Sequence, residues 1–124
     1  MTIDEYAAWA ATIAKVDEHP SNERLSYLGL GLAGESGEVA DHIKKLLRDD
    51  WLDKAGLVDE LGDVIYYWAC LCAATGQQPS ELLKASAAKN SVFRAVQKLR
   101  QQLEPYAGPG TSTRPARLGG SAVK

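Results

Sequence analysis

Apolar residues recur along this chain at the three-to-four-residue period of amphipathic helices, in four blocks divided by short polar stretches. The first block covers roughly Ile3–Val16. Thr2 stands where an N-cap belongs and Glu5 follows three residues on, the capping-box arrangement. His19-Pro20-Ser21-Asn22 ends it and leads into a second block, from about Glu23 to Arg48. Asp49, Asp50 and Asp53 mark a turn. The third block runs from about Lys54 to Ala74 and stops at Thr75-Gly76. Pro79-Ser80-Glu81 opens a fourth that continues to about Leu103. No stretch shows strand alternation bounded by hairpin turns. The pattern predicts an all-α fold, a four-helix bundle with antiparallel neighbours joined by short links. From Pro105 to Lys124 the chain is rich in Gly, Pro, Ser and Thr and has little to bury. That composition predicts a helical domain over residues 1–104 and a flexible tail over 105–124.

Two of the helices repeat one pattern. GLAGESGEV (Gly31–Val39) and GLVDELGDV (Gly56–Val64) share five of nine positions at an offset of 25 residues. A sixth pair, Glu38 and Asp63, keeps the carboxylate. Each copy therefore carries acids at i and i+3, which share one helix face: Glu35 with Glu38, and Glu60 with Asp63. Leu25, Leu28, Leu32, Val39, Ile43, Leu46 and Leu47 fill an adjoining arc on the second helix. Leu57, Leu61, Val64, Trp68, Leu71 and Cys72 do so on the third. The carboxylates thus border the core face. Antiparallel packing of these faces would bring four carboxylates together. Partly desolvated, they would repel one another or take up protons. A divalent cation removes that conflict, and an all-oxygen donor set favours Mg²⁺, with Mn²⁺ as the variant. A di-iron bundle needs Glu-x-x-His on two helices. With two histidines in the chain, and His42 four residues after Glu38, that pattern is missing.

The first motif also carries glycines that a helix built for packing alone would avoid. Projection places Gly31 between the carboxylates, where a missing side chain leaves room for substrate. Gly34 flanks that face, and Gly29 borders the core face. Gly37 lies behind the carboxylates, where close helix approach is the expected reason.

Composition narrows the partners. Residues 1–105 hold all 16 acids and 11 of the 14 bases, a net charge of −5, which argues against a nucleic-acid surface. No apolar run reaches membrane-spanning length and no signal-peptide pattern opens the chain. Cys70 and Cys72 lie two apart on one helix, read as buried reduced thiols, and the expected location is the cytoplasm.

The segments GLGLAGESGEVADHIKKLLRD and DELGDVIYYWA, with TIDEYAAWA before them, resemble the MazG-like nucleoside triphosphate pyrophosphohydrolases. In this all-α superfamily an ExxE motif is followed, after a spacer, by ExxD. Glu35-x-x-Glu38 and Glu60-x-x-Asp63 stand here with 21 residues between them, and the resemblance covers about Thr2 to Lys89. It implies Mg²⁺-dependent hydrolysis of (deoxy)nucleoside triphosphates to the monophosphate and pyrophosphate, in the service of nucleotide-pool house-cleaning. Glu35, Glu38, Glu60 and Asp63 would hold metal. Glu38, with Glu35, would be catalytic, Glu38 as the base acting through a water. Lys45 and Lys89 would meet phosphates. The family's N-x-x-K-x-x-x-R pattern on the fourth helix is altered: Ser86 and Phe93 replace its first and last residues. Arg94 stands one position after Phe93, and Asn90 one after Lys89, as substitutes. Tyr67 and Trp9 are the aromatic residues placed to stack on a base, and His42 lies one turn after Glu38 on the carboxylate face. The one-sided helices imply a homodimer or homotetramer. Readings left open are a dUTPase-like or phosphoribosyl-ATP-type specificity, and a non-catalytic helical oligomerisation protein.

Overall fold

The polar stretches between the helices act as caps. In the computed structural model, which describes residues 1–108, four helices are present: α1 (Ile3–Ala14), α2 (Asn22–Asp49), α3 (Lys54–Ala74) and α4 (Pro79–Leu103). A single 3₁₀ turn, Glu104–Tyr106, follows. There is no strand among the described residues. The expected flexible tail lies, from residue 109 on, outside them. Thr2 Oγ1 accepts the Glu5 N–H at 3.1 Å, and the Glu5 carboxylate accepts the Thr2 N–H at 2.6 Å, which completes the capping box. Ser21 caps α2 through the Arg24 N–H, and Asp53 caps α3 through the Gly56 N–H at 3.0 Å. α1 stops two residues earlier than its apolar period, because Lys15 turns left-handed (φ 51°) and its N–H closes on Ala11 and Thr12 carbonyls. Asp50 does the same for α2, at φ 52°.

The described residues divide into two units, Met1–Ala87 and a second that begins at Ala88, so α4 belongs to both. In the first unit α3 packs against both α1 and α2. Its core is built of small residues: Ala7 and Ala10 of α1, Leu28 of α2, and Ala69, Cys70 and Ala74 of α3. Small side chains let the helix axes approach closely, and Tyr6, Leu25, Tyr66, Trp68 and Leu71 pack around them. Cys70 and Cys72 are buried free thiols, and the Cys70 Sγ–H points to the Ala10 carbonyl at 3.7 Å. Burial pushes both thiols up from their ordinary pKa. The first turn of α4 is tied to α1: Asp4 accepts the Ser80 N–H at 2.8 Å and the Gln78 side-chain N–H at 3.2 Å. These bonds hold the Asp4 carboxyl below its usual value, the Ser80 contacts contributing most. No described helix is long and apolar enough to cross a membrane.

Candidate metal and nucleotide site

The repeated motif places its acids where α2 and α3 meet. One carboxylate oxygen from each of Glu35, Glu60 and Asp63 lies within 4.8 Å of the other two. Glu35 and Glu60 are half-buried and Asp63 is exposed. The Glu35 carboxyl is pushed up, first by desolvation, then by the charges of Asp63, Glu60 and Glu38 and a hydrogen bond to Glu60. A divalent cation fits this set: three hard oxygen donors and a negative charge that the protein itself does not neutralise there. Glu38 stands outside the group of three and is exposed, although its charge reaches both Glu35 and Lys45.

The repeat extends beyond its nine residues. Gly31 and Gly56 each stand four residues before the first acid of their motif, and His42 and Tyr67 each stand seven after it. The structure pairs them crosswise. A Cβ on Gly31 would run into the Tyr67 ring. A Cβ on Gly56 would lie 2.6 Å from His42 Cε1 and 2.6 Å from Asp53 Oδ2. Each helix thus seats its ring over the glycine of the other, and the carboxylates lie between the two rings. The space at Gly31 is filled by Tyr67 rather than left for substrate. Gly29, Gly34, Gly37 and Gly62 meet nothing within 4 Å, so close helix approach does not account for Gly37. The matching positions of His42 and Tyr67 were the available sequence signal for this exchange.

The two ends of the site differ in chemistry. At the His42 end, Nε2 lies 3.9 Å from Glu60 Oε1. Behind the ring, His42, Lys45, Asp49, Trp51 and Asp53 line a cleft of about 220 Å³. The Lys45 ammonium is held by Asp41 at 2.7 Å, and Lys44 binds the same carboxylate at 2.8 Å. At the Tyr67 end there is a chain of rings. Tyr67 meets Tyr66 (centroids 5.5 Å apart) and Tyr27 (6.4 Å), and Tyr66 meets Trp9 at 6.5 Å. Trp9 is 48% and Tyr27 59% exposed, so one face of this chain stays open. Tyr27, Trp51 and Asp53 were not singled out from the sequence as site residues. Lys89 and Arg94 are exposed and belong to the second unit.

The match to known proteins follows these residues. The family model of the MazG nucleotide pyrophosphohydrolase domain aligns with residues 24–102, which takes in both acidic motifs. The chain belongs to this family. A further relative is the Gene 37 protein of Mycobacterium phage L5, 48% identical over 56 residues. That alignment covers 41% of this chain and 49% of the phage protein, so the chain spans about half of its relative. No solved structure matches. Within this MazG-family domain, three of the four motif acids converge from two helices.

Proposed function

We propose that this MazG-family protein hydrolyses (deoxy)nucleoside triphosphates to the monophosphate and pyrophosphate with Mg²⁺, Mn²⁺ substituting. The observation that carries this reading is the convergence of Glu35, Glu60 and Asp63 from two copies of one motif. Glu35, Glu60 and Asp63 would hold the cation, and Glu38, outside their group, is left free to act on water. Bound there, the ion would neutralise charge on the phosphate oxygens and acidify water. Glu38 takes the proton of the attacking water, and its exposure lets a water reach it. Lys45 exchanges Asp41 for a phosphate oxygen. Tyr67 and its ring neighbours flank the other end, Trp9 with them. Clearance of unwanted nucleotides by a homodimer or homotetramer is the matching role.

The test is pyrophosphate release from a panel of canonical and modified triphosphates, dUTP and phosphoribosyl-ATP included. Glu35→Gln and Glu60→Gln are expected to cut the rate at least about a hundredfold, the equivalent of several kcal/mol of charge stabilisation. No turnover of any nucleotide overturns the enzyme reading in favour of a scaffold protein. Turnover that survives both changes overturns the site. Release of inorganic phosphate alone overturns the cleavage position.

A further inference from the structure

His42 lines the cleft and also reaches the acidic site, its Nε2 3.9 Å from Glu60 Oε1. At about 220 Å³ the cleft is smaller than the roughly 300–1,000 Å³ of pockets that enclose a whole drug-sized ligand. It suits one part of a nucleotide. The lining decides which part. The Asp49 and Asp53 carboxylates would repel a polyphosphate. Lys45, now on Asp41, is the cation that turns to the phosphates in the reading above, and Asp49 is paired with Arg48. Asp53 Oδ1 caps α3 through the Gly56 N–H, while Oδ2 takes no hydrogen bond from the described residues. The absence of a side chain at Gly56 is what lets Oδ2 and the His42 ring come together at this wall. Trp51, 67% exposed, lines the cleft as its one aromatic ring besides His42.

We propose that this cleft is the base-binding end of the site, Trp51 stacking on the base and Asp53 Oδ2 accepting a hydrogen bond from an exocyclic amino group. Indole stacking is indifferent to base identity, so selectivity comes from the carboxylate. Cytosine, adenine and guanine each present an amino group. In uracil and thymine the N3–H is flanked by two carbonyl oxygens, which would face the carboxylates. The cleft therefore selects amino-bearing bases. The inference rests on the nucleotide reading above, and it assigns the base to the His42 end rather than to the Tyr67 end.

The test keeps the two readings apart by leaving out hydrolysis. The full-length protein is titrated in EDTA with dCMP, dGMP, dAMP and dTMP, and the Trp51 indole N–H is followed by NMR, assigned with Trp51→Phe. The expected result is a saturable shift with the three amino-bearing nucleotides and at least about fivefold weaker binding of dTMP. Asp53→Asn keeps the helix cap and replaces the free acceptor with a donor, and it should remove that preference. In turnover, Trp51→Ala should raise KM by about fivefold or more. An unmoved indole in a protein that hydrolyses triphosphates overturns the cleft assignment alone. An equal response to dTMP overturns the base selectivity, and a response to inorganic pyrophosphate like that to dCMP makes the cleft a phosphate site. A shifting indole in a protein without turnover sustains the cleft and removes the enzyme.

Discussion

At Gly31 a hydrogen atom is all that separates the α2 backbone from the Tyr67 ring, and at Gly37 the same hydrogen faces open space. Alanine should therefore act in opposite directions at two glycines six residues apart on one helix. Gly31→Ala forces Tyr67 aside and should cost about 1–3 kcal/mol, the usual range for overpacking. Gly37→Ala should gain about 0.5–1 kcal/mol from helix propensity. Urea denaturation of the two variants checks both signs, and equal effects would contradict the ring-over-glycine exchange. The sequence shows that the glycines repeat, but not which of them is filled, because that depends on the ring of the opposing helix. Asp41 offers a second test. Hydrogen bonds and charge from Lys44 and Lys45 lower its pKa to about 2. A carboxyl lowered in the folded state stabilises the fold above its unfolded pKa, and the contribution is lost as pH falls through the folded value. Metal-free protein should lose melting temperature between about pH 4 and pH 2, and Asp41→Asn should flatten part of that slope. Solvent exposure keeps the effect small. Glu35, whose carboxyl is raised, works in the other direction: its protonation relieves repulsion in the metal-free fold.

The helices themselves were legible, because their ends are coded locally. Thr2 with Glu5, Ser21 and Asp53 cap the helices that the apolar period predicts. Both acidic motifs were legible for the same reason: carboxylates at i and i+3 must share a face. Periodicity, however, gives a face and not what covers it. Leu28 of the predicted core arc is 1% exposed, whereas Leu47, on the same arc, is 84% exposed. Of the four acids, three converge and Glu38 stands apart, which the shared face of each i, i+3 pair did not reveal. Contacts between distant residues were equally hidden. Asp4 and Ser80 are 76 positions apart, and the pair fixes where α4 starts relative to α1. Asp4→Ala leaves the Ser80 N–H without its acceptor at a helix N-terminus, where helical partners are absent. Hydrogen exchange at the Ser80 amide should quicken in that variant, while the Glu5 amide, bonded to Thr2, keeps its protection. Unchanged exchange at Ser80 would mean that the tie between α1 and α4 is not maintained in solution.

For the molecule as a whole, the small core contrasts with the amount of apolar surface. The buried hydrophobic residues are mostly alanines and cysteines, while Leu30, Leu47, Val58 and Phe93 are each at least 60% exposed. On α3, Val58, Leu61 and Ile65 form one stripe at i, i+3 and i+7. In the second unit Val92, Val96, Leu99 and Leu103 follow at i, i+4, i+7 and i+11, the spacing of a helix–helix seam. Stripes of this kind on a folded chain mark contact surfaces. In the homo-oligomer proposed above, a second copy of the chain covers the stripe on α4 of the second unit. Sedimentation velocity of the full-length protein should then show a dimer or tetramer at micromolar concentration. Leu99→Glu should shift it toward monomer, because the charge would be buried unpaired in the seam. Pyrophosphohydrolysis measured on the same variant separates assembly from chemistry. Activity that falls with protein concentration in Leu99→Glu means that the acidic site depends on the assembled form. A wild-type chain that sediments as a monomer would leave the α4 stripe without a second copy and overturn the assembly.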